Sequence, residues 1–142
     1  MFVLFAWVGY MHGFTLNLPD DVCGAHEIVK GKTECSRQIE VKSQNPIFLI
    51  LVHGTFSSSK SFLDEIIINT RNVPEGLFDD ESYAGGEPIH LAFNWSGELS
   101  DNARQSAGTA LAHALDEIYA ACQQEDAKPA FILVAHSHGG NN

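Results

Sequence analysis

Positive charge is what this chain has least of. Eight lysines and arginines stand against 18 aspartates and glutamates in 142 residues, a formal net charge of -10 with a pI near 4.9. Without a basic patch to neutralise phosphates, nucleic acid is excluded as a partner, and anionic membrane surfaces are disfavoured for the same reason. Cysteine is scarce as well: Cys23, Cys35 and Cys122 include no C-x-x-C, which removes the usual zinc and dithiol-redox frameworks. An odd count leaves at least one thiol unpaired. Free thiols are the expectation, although a Cys23 to Cys35 bridge fits an oxidising compartment. The apolar start, Met1 to Met11, is too short to span a bilayer, so no integral membrane span is expected. The first basic side chain is Lys30, so this start lacks the positive region of a secretory leader, and no A-x-A cleavage site follows. A cytoplasmic location is expected, with secretion through the apolar start as the alternative. There is no G-x-x-x-x-G-K-[ST] phosphate loop, internal repeat or low-complexity tract.

What is present is enough apolar material for a packed core, at 44% hydrophobic and 18% charged residues. Residues 1–45 read as an apolar segment followed by an irregular, polar stretch broken by Pro19, Gly24 and Gly31. Within it Gln38-Ile39-Glu40-Val41-Lys42 alternates like a half-buried strand. From residue 46 the pattern changes. Ile47-Phe48-Leu49-Ile50-Leu51-Val52 is an unbroken apolar run, suited to a parallel strand buried on both faces. Residues 60–70 read as a short helix with Phe62, Leu63, Ile66 and Ile67 on one side, and residues 74–88 as a loop. Pro88 to Trp95 is the next strand.

The clearest helix runs from Asp101 to Gln124, with Ser100 as its N-cap and Asp101 favourable in the first turn. Ala103, Ala107, Ala110, Leu111, Ala114, Leu115, Ile118, Tyr119 and Cys122 form a single stripe. Its alanines allow close approach to a sheet, and Lys128-Pro129 is expected to break it. Strand, helix, strand, helix, strand over residues 46–135 predicts a doubly wound, mainly parallel α/β sheet.

Two strand ends carry the chemistry. The run Phe131-Ile132-Leu133-Val134-Ala135 stops at His136-Ser137-His138-Gly139-Gly140, a serine with small residues two places before and after it. A nucleophile elbow needs such residues, because its serine sits on a cramped strand-to-helix turn; here Ala135 and Gly139 fill those places. Upstream, Val52 leads into His53-Gly54-Thr55-Phe56. A loop after such a strand can aim a backbone N–H at the oxygen that turns negative when serine attacks a carbonyl. The expected oxyanion donors are the N–H groups of Thr55 or Phe56, and of His138.

Val52-His53-Gly54-Thr55-Phe56, then Phe93-Asn94-Trp95-Ser96-Gly97 with Arg104, then Ala135-His136-Ser137-His138-Gly139-Gly140-Asn141 together resemble the lipase-like serine esterases of the α/β-hydrolase superfamily. The resemblance covers residues 46–142, about two thirds of the chain. It implies hydrolysis of a small-molecule ester or lipid by Ser137, with no cofactor and no metal. It also implies that 46–142 is the N-terminal part of the hydrolase sheet, incomplete on its C-terminal side, because in this fold the acid and the base histidine follow the serine. None of the seven histidines lies beyond His138. A serine without its base is a poor nucleophile, so the polypeptide alone is expected to be inactive, with its last strand left as an apolar sheet edge. Trp95, Ser96, Gly97 and Arg104 read as packing and loop-bracing groups, and His90 and His113 as sheet-face and helix-surface histidines.

Two other readings compete. His136-x-His138 after an apolar strand is also how metal-dependent hydrolases present imidazole ligands, though Gly139, Gly140, Asn141 and Asn142 offer no carboxylate or further histidine. A truncated hydrolase scaffold without catalysis is the third. Oligomeric state is not legible.

Overall fold

The organising element is the apolar run after Pro46. In the computed structural model, which describes residues 13–24, 36–54 and 88–135, strands β1 (Phe14–Asn17), β2 (Val22–Gly24), β3 (Gln38–Val41), β4 (Ile47–Val52), β5 (Ile89–Phe93) and β6 (Ala130–Ala135) accompany one helix, α1 (Asp101–Gln124). The architecture is mixed α/β. A four-stranded sheet has the order β2-β5-β4-β6, and β1 pairs with β3 in a separate antiparallel ladder. Three strands of the larger sheet run parallel, with β4 between β5 and β6; only β2 is antiparallel to its neighbour.

Alternation along β4 explains why it is buried on both sides. Phe48 and Ile50 join Leu91 and Phe93 of β5, Val22 of β2, Leu16 and Val41 of the small ladder, and Ala114, Ile118 and Cys122 of α1 in one core. Ile47, Leu49 and Leu51 point to the opposite face, as do Cys23 and Ala92, and all five are buried too. A strand apolar at every position is stable only with both faces covered.

The ends of α1 are set by local hydrogen bonds. Ser100 adopts extended backbone angles, and its hydroxyl accepts from the Ala103 N–H at 3.1 Å. At the other end Asp126 takes a left-handed conformation, φ 56°, while its N–H donates to Gln123 O and the Ala127 N–H donates to Cys122 O. This is a Schellman motif, and Ala127 and Cys122 are both buried in the core cluster. The helix therefore stops before Lys128-Pro129 is reached, which corrects the expectation that proline breaks it. One member of the predicted stripe also departs: Tyr119 is exposed, and its hydroxyl accepts from Gln123 Nε2. Of the rest, Ala114, Ile118 and Cys122 are buried, and Ala107, Ala110, Leu111 and Leu115 pack against the core.

The half-buried strand expected around residues 38–42 is β3. The short strands β1 and β2 were not anticipated. They flank a turn closed by Val22 N–H donating to Pro19 O, which carries the chain from the small ladder to the edge of the larger sheet. Cys23 is disulfide-bonded, so the expectation of three free thiols is corrected; Cys122 is the free, buried one. The only remaining cysteine in the sequence, Cys35, lies outside the described residues, as do the helix expected at 60–70 and, except for Pro88, the loop expected over 74–88.

Among the described residues β6 pairs on one side only, with β4. Phe131 stacks on Phe48, ring centroids 5.7 Å apart. Two positions further on, Leu133 is 51% exposed although its register partner Ile50 is 0% exposed. Among the described residues, then, β6 stands at the side of the sheet expected from the sequence, and its side chains are apolar. No described helix is long and apolar enough to cross a membrane.

Candidate functional site

Three parallel strands finish level. Val52 pairs with Phe93 on one side and with Ala135 on the other, so the loops beginning at His53, Asn94 and residue 136 leave the same edge of the sheet in one row. Neighbouring strands are about 4.8 Å apart, so the loops after β4 and β6 start within a side chain's reach of each other. The chain lays β5 on one flank of β4, then crosses through α1 to lay β6 on the other. The boundary between β4 and β6 is thus a topological switch point at the carboxyl ends of the strands, the place where open α/β sheets hold their ligands.

The first turn after β4 is tightly held. His53 is the one buried polar side chain among the described residues, 3% exposed, and Gly54 is buried beside it. The His53 Nδ1 donates to Gly54 O at 3.0 Å; a carbonyl can only accept, so the proton sits on Nδ1. From the adjacent strand end, Trp95 Nε1 donates to His53 O at 2.8 Å, and the two rings stack at 5.6 Å with 20° between their planes. The chain after Trp95 turns through Gly97, which is buried at φ 68°, a conformation that strains any residue with a Cβ.

Of the sequence-predicted site residues, the structure describes Ala135, the last residue of β6, whose side chain is exposed. Ser137, His138, Gly139, Thr55 and Phe56 lie outside the described residues, and so does His136. What the described strands establish is that the segments holding Ser137 and Thr55 depart from adjacent, level strand ends. His53 bonds to loop backbone, the role weighed against substrate contact. Arg104 pairs with exposed Asp101 at 3.1 Å on the first turns of α1, so it braces the helix start. His113 is on the exposed side of α1, as expected.

The residue that sequence reasoning undervalued is Trp95. Its signal was position: an aromatic donor two residues beyond a parallel strand next to the His-Gly strand. Elsewhere, a groove along α1 is lined by Asn102, Gln105, Ser106, Thr109, Ala110 and His113. Among the described residues no three His, Cys, Asp or Glu side chains gather as metal ligands would. Compared with known proteins, the chain matches no family model, no curated protein and no solved structure.

Proposed function

We propose that this chain carries the nucleophile and oxyanion-binding turn of an α/β-hydrolase-type serine esterase, acting on a small ester or lipid acyl group. Ser137 Oγ attacks the carbonyl carbon, its proton passes to a general base, and the carbonyl oxygen becomes an oxyanion held by the N–H groups of His138 and of Thr55 or Phe56. Collapse expels the alcohol and leaves an acyl-serine, which water then cleaves. The observation that carries this assignment is the register Val52 to Ala135, which starts the two motif loops side by side at the switch point.

Residues 139–142 are Gly, Gly, Asn and Asn, so within these 142 residues no carboxylate or histidine follows His138. The disulfide at Cys23 favours an oxidising compartment over the cytoplasm as the setting.

A fluorophosphonate label tests the assignment. The product of the whole reading frame should be modified at Ser137, with Ser137→Ala unlabelled. Modification at another residue would overturn the nucleophile.

A further inference from the structure

We propose that Trp95 is a positioning residue for the oxyanion-binding turn, acting partly through the ring of His53; this rests on the serine-esterase assignment above. A backbone N–H stabilises a developing oxyanion only if it is already aimed, and its aim is fixed by the plane of its peptide unit. A trans peptide is planar, with C=O and N–H on opposite sides, so whatever grips the carbonyl also orients the amide. Both peptide units at the end of β4 precede a residue other than proline, for which the trans form is strongly favoured.

Two consecutive peptide units are gripped at the end of β4. The first carries His53 O, which accepts from Trp95 Nε1 at 2.8 Å. The second carries Gly54 O, which accepts from His53 Nδ1 at 3.0 Å, and its amide is the N–H of position 55, the expected donor. Trp95 therefore acts twice. It holds the first unit directly, and it holds the second by stacking on the imidazole, ring centroids 5.6 Å apart, that grips Gly54 O. The clamp is dry: His53 is 3% exposed, and Gly54 is buried. A freed carbonyl there cannot readily exchange its partner for water, so the turn would re-orient to satisfy it. Because β5 and β4 end level, Trp95 approaches from the flank opposite β6.

An aromatic that merely filled space would not need its N–H. Trp95→Phe keeps the stack and removes the donor, which makes it the discriminating variant. In the whole-frame protein, with active sites counted by fluorophosphonate, p-nitrophenyl butyrate turnover should lose about tenfold in kcat per site while KM stays within about twofold. Binding of a trifluoromethyl ketone, which forms the tetrahedral adduct, should weaken by the same factor as kcat/KM. His53→Phe should behave alike, and the double variant should lose much less than the product of the two single losses, because both act on one turn.

A misfolded fraction lowers the count of active sites without moving per-site kcat, so the split separates positioning from folding. Per-site kcat and ketone affinity both within about twofold of the parent would overturn the proposal. Should Trp95→Phe fail to fold, benzothienylalanine at position 95, which replaces the indole N–H with sulfur at nearly constant shape, gives the same readouts. Ester turnover that survives Ser137→Ala would defeat the esterase assignment; loss of turnover there with an unaffected Trp95→Phe would defeat only the role of Trp95.

Discussion

β4 and β6 are adjacent parallel strands of six residues, matched one to one, with sequences Ile-Phe-Leu-Ile-Leu-Val and Ala-Phe-Ile-Leu-Val-Ala. Five residues of β4 are buried and none of β6 is. The contrast is sharpest in the pair Ile50 and Leu133, which face the same side, one sealed under the core and the other half open. Apolar composition states what a strand tolerates. Its place in the sheet states what it receives: β4 has a hydrogen-bonded neighbour on each side, whereas β6, among the described residues, has one only.

The largest expected effect lies in that pair. Ile50→Ala should cost about 3–4 kcal/mol of stability by cavity formation, whereas Leu133→Ala should cost less than about 1 kcal/mol, both read from urea unfolding. Equal losses would break the comparison, because they would mean that position 133 is covered in solution.

Thiol chemistry separates interior from edge in a second way. Cys122, 0% exposed on the core side of α1, has its thiol pushed from 9.0 up to about 11 by burial. The folded chain keeps this proton where the unfolded chain loses it, so the stability linked to Cys122 is complete below about pH 9 and drains away as pH rises toward 11. Unfolding measured across that window should show the decline, and Cys122→Ala should remove this component of it. Under native conditions iodoacetamide should modify a Leu133→Cys thiol readily while Cys122 waits for unfolding. Equal reaction rates at the two positions would contradict the burial seen here.

The smallest effects are at the ends of α1, which connects β5 to β6. Ser100→Ala should lower stability by about 1 kcal/mol through the lost cap, and Asp126→Gly should raise it by about 0.5–1 kcal/mol by relieving the left-handed backbone. Thermal midpoints moving in opposite directions would support both; a neutral Asp126→Gly would show that the aspartate bears its φ of 56° without strain.

Much of this architecture was written locally. The six-residue apolar run of β4, the alternation of β3 and the stripe and cap of α1 each depend on neighbours a few positions away, and periodicity displays such dependence directly. The exposure of Tyr119 and the stop at Asp126 were less legible, since the first depends on where the sheet ends beneath the helix and the second on a left-handed residue that is not glycine. The short strands β1 and β2 carry almost no periodic signal, and their partners β3 and β5 lie far along the chain. The motifs around His53 and Ser137 were visible as residues, whereas the level ends of their strands were not.

By itself the sequence determined that β3, β4, β5, β6 and α1 are strands and helix, and that the chain is acidic, because these follow from side-chain type and spacing. Only tertiary structure decided that β4 lies between β5 and β6, that these three strands end level, and that Trp95 reaches across to grip the turn at His53. Those outcomes depend on hydrogen bonds and contacts between residues tens of positions apart, and no local pattern encodes which distant strand will supply them.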